Sequence, residues 1–235
     1  MNFSAKKIKN SKNPIVIFLL RAYLLFHLRR PYKQYKLIFV RDEENKELME
    51  RVYKFRYNIY CNVDGLLNKE EYPDKKETDL YDKYADHIIA FDRYNNIVGT
   101  SRIIKNSPLG FPTEKEFDLV KRLKNVPREK ITELSRFMIH PDYRKTMLLL
   151  DMFKAIYLFS RQNDYLFWFG CAEKWFLKTL DNYVGEVELI GEPKFCFNAI
   201  NYPFFIDIKK KADEVKEKDR LLFYFYNYKS NNFEF

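Results

Sequence analysis

Apolar positions along the chain recur at two spacings. In RDEENKELMERVYKFRYNIY (41–60), Leu48, Val52, Phe55 and Ile59 fall every three or four residues, which predicts a helix. Its acidic residues stand at the start, where the helix dipole favours them. HIIAFD and IVGTSRII, separated by the turn residues RYNN, predict a β-hairpin. Residues 61–85 read as a loop with Gly65 and Pro73, SPLGFP as another, EKEFDLVKRLKN as a short helix and ITELSRFMI as a strand. After the turn HPDYRK, residues 146–162 return to helical spacing. Strand YLFWFGCA, helix EKWFLKTLDNY and a short strand in VGEVELIG follow. YPFFIDI, a charged helix near 209–219 and LLFYFYNY complete the chain. No internal repeat or long linker interrupts this order. Strands and helices alternate without regular βαβ units, so the expected class is α/β (α+β), a mixed sheet flanked by helices.

The 235 residues are 46% hydrophobic and 18% aromatic, enough for a packed core, which excludes a disordered chain. Cys61, Cys171 and Cys196 form no CxxC, and no histidine stands at zinc-finger spacing. They read as buried thiols in a reducing compartment, with no metal site.

Charge is distributed unevenly. The net charge is +9, yet residues 1–40 hold nine Lys/Arg and no acid, which leaves a neutral body. With no helix-turn-helix pattern either, nucleic acid is not an expected partner. Within the basic segment, PIVIFLLRAYLLFHL is apolar, but it is interrupted by Arg21 and falls short of the roughly 20 residues that span a bilayer. No small-residue cleavage site follows it. Residues 1–40 therefore read as a helical extension that either lies in a membrane interface or packs on the domain formed by 41–235.

Charged residues also stand inside or beside apolar strands: Arg56 with Tyr60, Glu77, Asp79 and Asp82 in ETDLYD, Arg102 in IVGTSRII, and Glu133 with Arg136 in ITELSRFMI. Charges on interior strands are seldom buried unless paired. Three arginines against three or four carboxylates make a nearly balanced set, which implies a polar cavity or an interior network. Strand alternation would send Glu133 and Arg136 to opposite faces unless a bulge lies between them.

FRYNIY, ETDLYD, IVGTSRII and ELSRFMI, in this order and at these distances, resemble the autoinducer-synthase branch of the GNAT acyltransferases. That branch includes acyl-homoserine-lactone synthases and long-chain N-acyl amino acid synthases, and the resemblance covers roughly residues 48–205. It implies a central, mostly antiparallel twisted sheet flanked by helices. It also implies a bacterial, cytoplasmic enzyme, working at the inner face of the membrane if the N-terminal extension docks there. HPDYRK resembles the turn before the CoA pyrophosphate loop of typical GNAT enzymes, where backbone N–H groups at a helix N-terminus bind phosphate. Here Met147 and Leu149 stand where the glycines would be. An acyl carrier protein, presenting its acyl group on phosphopantetheine, is therefore the expected donor, with acyl-CoA as the alternative and no bound cofactor. CNVDGLLN lacks the tryptophan usual in homoserine-lactone synthases, which weakens S-adenosylmethionine as the acceptor.

The reaction this resemblance implies is amine attack on a thioester, giving an N-acyl amino acid. Two alternatives are an autoinducer synthase and the first acyltransferase of an ornithine- or glycine-type amino lipid pathway. Glu133 is then the general base, and a bulge near Ser135–Arg136 offers N–H groups to the oxyanion. Arg102 or Arg56 receives the acceptor's carboxylate, and Asp79 and Asp82 order the arginines or hold an ammonium. Tyr60, Phe111 and Trp168 contact substrate. Phe167, Trp168, Phe169, Phe195 and Phe197 would line an acyl tunnel.

Overall fold

The structure, a computed structural model, describes residues 35–227 and 233–234. The apolar helix expected near the N-terminus lies outside the described residues. The sheet begins at β1 (Lys36–Arg41), which overlaps the end of the segment 1–40 assigned from sequence to the extension. It continues through β2 (Ala85–Phe91), β3 (Ile97–Ile104), β4 (Ile131–Ile139), β5 (Phe167–Glu173), β6 (Glu188–Leu189), β7 (Lys194–Cys196), β8 (Ala199–Asp207) and β9 (Phe233–Glu234). Spatial order is β6-β8-β5-β4-β3-β2-β1-β9, with β7 also on β8. Pairing is antiparallel except for β4–β5 and β1–β9.

Helix α1 (Lys46–Tyr57) starts at Asn45, whose side chain accepts from the Leu48 amide, and runs on into a π-helical turn over Asn58–Val63. The helix expected at 114–125 is instead two short pieces, α2 (Pro112–Glu116) and α3 (Val120–Leu123), separated by Asp118 at φ +51°. Helices α4 (Leu148–Gln162), α5 (Lys174–Tyr183), α6 (Ile208–Lys218) and α7 (Arg220–Asn227) complete the described set. None of the described helices is long and apolar enough to cross a membrane.

Strand alternation divides the core. Ile88 and Ala90 of β2, with Ile103 of β3, face a large cluster built on α4, including Leu148, Met152 and Ile156. On the opposite face, Ala85 of β2 joins a cluster with Ile104, Phe111 and Phe169, while Ile89 and Phe91 join one with Met49 and Val52 of α1. His87 and Arg102, cross-strand partners, stand between these two apolar clusters. The site is built in that interval.

Strands β4 and β5 pair only over Ile131–Glu133 and Phe167–Phe169 and then part. At the parting point Gly170 allows close backbone approach, since a Cβ there would lie 2.6 Å from the Leu134 carbonyl oxygen. The far end of β8 forms a hairpin with β7 through a two-residue turn, Phe197 and Asn198, both at positive φ, as hairpins of matching twist require.

Candidate active site

Register between β3 and β4 shifts by one residue between Thr100 and Arg102, so β4 carries an extra residue opposite Ser101. Arg136 occupies the bulge at φ +51°. Ser135 therefore stays on the face of Arg102, and its hydroxyl receives a 2.9 Å hydrogen bond from Arg102 Nε. Arg136 turns to the same side and donates to Glu77 Oε1 at 2.7 Å and Asp79 Oδ2 at 2.9 Å. The bulge expected from the paradox of Glu133 and Arg136 is present and resolves it.

Arg56 closes the network from α1, donating to Glu77 Oε2 at 2.5 Å and Asp82 Oδ1 at 2.7 Å. Arg102 donates to Asp79 at 2.6 Å and Asp82 at 3.0 Å. Three arginines thus meet three carboxylates. Burial alone would raise the carboxyl pKa of Glu77, but Arg136 and Arg56 outweigh it and hold it low. The same balance, with Arg102 and Arg136, lowers Asp79, and with Arg56 and Arg102, Asp82. Burial pushes His87 down to about 4, against the pull of Asp82, so it is neutral at pH 7.

Accessibility separates these groups. Arg56 and Arg102 are completely buried, so neither presents an open face to an acceptor. The side chains of Arg136 and Asp79 are 21% and 30% exposed and form the accessible edge of the network. Tyr60, in the π-helical turn, lies under the Arg136 guanidinium, 5.8 Å from ring to carbon.

Glu133 is the last β4 residue paired with β5, and only 2% of it is exposed. Burial pushes its pKa up to about 7, against the hydrogen bonds from Thr113 and the charges of Arg102 and Arg136. Thr113 N–H reaches Oε2 at 3.0 Å and its hydroxyl reaches Oε1 at 2.8 Å. A carboxyl group near half-ionisation at neutral pH, set where two strands part, can both take and return a proton.

Phe111 is fully buried, edge-on to Phe169 at 5.0 Å and beneath Arg128, where it braces the Thr113 segment. Trp168 points to the opposite face from Glu133, donating to Ser160 Oγ at 2.7 Å. There it lines a small, largely apolar pocket open in part to solvent, with Phe153, Tyr157, Tyr183, Ile206 and Tyr226. Phe195 and Phe197 line nothing: they are 70% and 50% exposed on the β7–β8 hairpin. Their expected place in a tunnel fails because that segment folds as a separate hairpin.

Thr113 and Cys171, whose Sγ lies 3.5 Å from the Thr113 hydroxyl, went unread in the sequence as site residues. A threonine after proline signals only a helix start, and the contact to Glu133 spans 20 positions. At the turn after β4, Met147 is buried and Leu149 packs against the α4 cluster, so both side chains fill the positions expected for glycine.

Residues 55–154 match the Acetyltransferase (GNAT) domain family. Two L-ornithine N(alpha)-acyltransferases are similar in sequence. That of Brucella abortus (strain 2308) is 26% identical over 145 residues, 57% of this chain and 51% of the relative. That of Agrobacterium fabrum (strain C58) is 26% identical over 141 residues, 54% and 47% respectively. The chain spans about half the length of the curated relatives it matches. Among solved structures, the CoA-dependent acyl-homoserine lactone synthase BjaI superposes with a TM-score of 0.63 at 20% identity, over 80% of this chain and 89% of that one. FeeM, an N-acyl amino acid synthase from uncultured soil microbes, does so with 0.54 at 13%, over 76% and 93%. Over residues 55–154 the chain is thus similar to the GNAT domain family, and its fold is shared with these solved structures.

Proposed function

We propose that the protein is an N-acyltransferase that moves a long-chain fatty acyl group from an acyl carrier protein thioester to the amine of an amino acid. The observation that carries this reading is Glu133, buried, with a pKa near 7, at the point where β4 and β5 part. The amine nitrogen attacks the thioester carbonyl while Glu133, directly or through a water, accepts the proton the amine loses. Backbone N–H groups around the Ser135–Phe137 bulge receive the oxyanion. The attack forms the C–N bond; collapse re-forms the carbonyl and breaks the C–S bond, and the proton held by Glu133 passes to the departing thiolate.

Arg136 and Asp79, the accessible members of the network, are placed to take the acceptor's carboxylate and ammonium. Arg56, Arg102 and Asp82 hold those two in position. The acyl chain passes between the parted strands, and its far end reaches the pocket beside Trp168. Met147 and Leu149 in place of glycines favour a carrier protein over CoA, whose pyrophosphate needs close backbone approach. Ornithine is the favoured acceptor because both sequence relatives are named for acylating it.

The test is mass spectrometry of reactions containing the purified protein, palmitoyl-acyl carrier protein or palmitoyl-CoA, and single amino acids. The expected product is N-palmitoyl ornithine, formed faster from the carrier protein. Acyl-homoserine lactone formed only with S-adenosylmethionine would replace this reading with the autoinducer one.

A further inference from the structure

Among the described residues, the hydrogen bonds on the Glu133 carboxylate all come from Thr113. The segment that carries Thr113 is anchored on both sides. Phe111 packs on Phe169, and Glu114 is held by a bidentate pair from Arg128, both contacts at 2.7 Å. Thr113 itself is buried, so its hydroxyl has no bulk water to turn to.

That hydroxyl has one proton and two neighbours, Glu133 Oε1 at 2.8 Å and Cys171 Sγ at 3.5 Å. When Glu133 is ionised, the Thr113 proton points to the carboxylate and the Cys171 S–H donates to the Thr113 oxygen. When Glu133 is protonated, its O–H donates to Thr113 and the Thr113 proton swings to the sulfur. Burial pushes the Cys171 thiol up to about 12, so it keeps its proton and acts as a donor or a weak acceptor as required. Both states of Glu133 are therefore satisfied without heavy-atom movement. The charged and titratable groups around this pair are Arg102 from β3, Arg136 from β4, Cys171 from β5 and, beside Cys171, Cys196 from β7.

We propose that Thr113 is a positioning residue that lets Glu133 take up and release a proton in place, by reorienting one hydroxyl between the carboxylate and the Cys171 sulfur. The proposal rests on the reading of Glu133 as the base. Removing the hydroxyl takes a bond from both forms, but the charge-assisted bond lost from the ionised form is the stronger, which moves the controlling pKa upward by about one unit.

The experiment compares wild type, Thr113→Val and Thr113→Ser in two ways. One is the pH dependence of kcat/KM with palmitoyl-acyl carrier protein and ornithine. The other is a carboxyl 13C titration of glutamate-labelled protein, with the Glu133 signal assigned by its loss in Glu133→Gln. In Thr113→Val the rate should fall about fivefold at pH 7 and recover by about pH 9. The carboxyl titration should move with it, and Thr113→Ser should restore both. A loss equal at every pH, with the Glu133 titration unmoved in a folded variant, overturns the proposal. A titration that moves while the rate profile does not supports the hold of Thr113 on Glu133 and overturns the base assignment beneath it.

Discussion

Arg136 and Glu77, 59 positions apart, meet at 2.7 Å because the β4 backbone turns through positive φ at Arg136 itself. One inserted residue converts two side chains that strand alternation would separate into neighbours on one face. The same insertion leaves Phe137 on the other face, stacked on Phe153 at 5.1 Å. Active-face charge and core packing are thus set by a single bulge.

Glu77 pairs with two arginines at once, the fully buried Arg56 and Arg136 at the accessible edge. Glu77→Gln leaves Arg56 and Arg136 short of a counter-charge and should cost about 3–5 kcal/mol, read as a lower urea midpoint with unchanged m-value. A loss under about 1 kcal/mol would mean that solvent reaches the network.

Glu133 works against the fold at neutral pH. Its pKa is raised from 4.5 to about 7, so the folded state keeps a proton that the unfolded state has already lost. Its contribution to stability is therefore complete below about pH 4.5 and is lost as pH rises through 7. Relative to Glu133→Gln, wild type should lose up to about 3 kcal/mol between pH 4 and pH 8. Paired thermal melts at several pH values check this, and a constant difference would contradict it.

The pocket beside Trp168 sets a length limit if the acyl tail reaches it. Ala212→Phe, which places a ring in that pocket, should lower kcat/KM for palmitoyl donors at least tenfold relative to octanoyl donors. Phe197→Ser, on the exposed hairpin turn, should leave both chain preference and stability within about 0.5 kcal/mol of wild type. Equal loss for both donor lengths in Ala212→Phe would remove the pocket from the acyl path.

Much of this was legible in residue spacing. The runs read as strands at 87–92, 97–104 and 131–139 fall on β2, β3 and β4, the helix read at 146–162 is α4 from Leu148, and the charges in ITELSRFMI shared a face only if a bulge lay between them, which it does. Accessibility was not legible. Arg56 and Arg102 look like Arg136 in sequence, but only tertiary packing decides which guanidinium is sealed by carboxylates and which reaches an edge. Likewise Phe195 and Phe197 look like Phe169, and a two-residue turn sends them outward. Short elements such as β1 and β7 draw their order from neighbouring strands rather than from their own pattern. Thr113 acts through a contact that local sequence does not encode.

The role that everything else in the proposed reaction depends on is that of Glu133 as the base for amide formation. The most direct measurement is kcat/KM against pH for wild type and Glu133→Gln, with palmitoyl-acyl carrier protein and ornithine and the product counted by mass spectrometry. With Glu133 as base, the wild-type rate should rise to a plateau through a midpoint near pH 7, and a folded Gln variant should be slowed by about 10²-fold or more across the range. A Gln variant that retains the wild-type rate and the wild-type midpoint would contradict it.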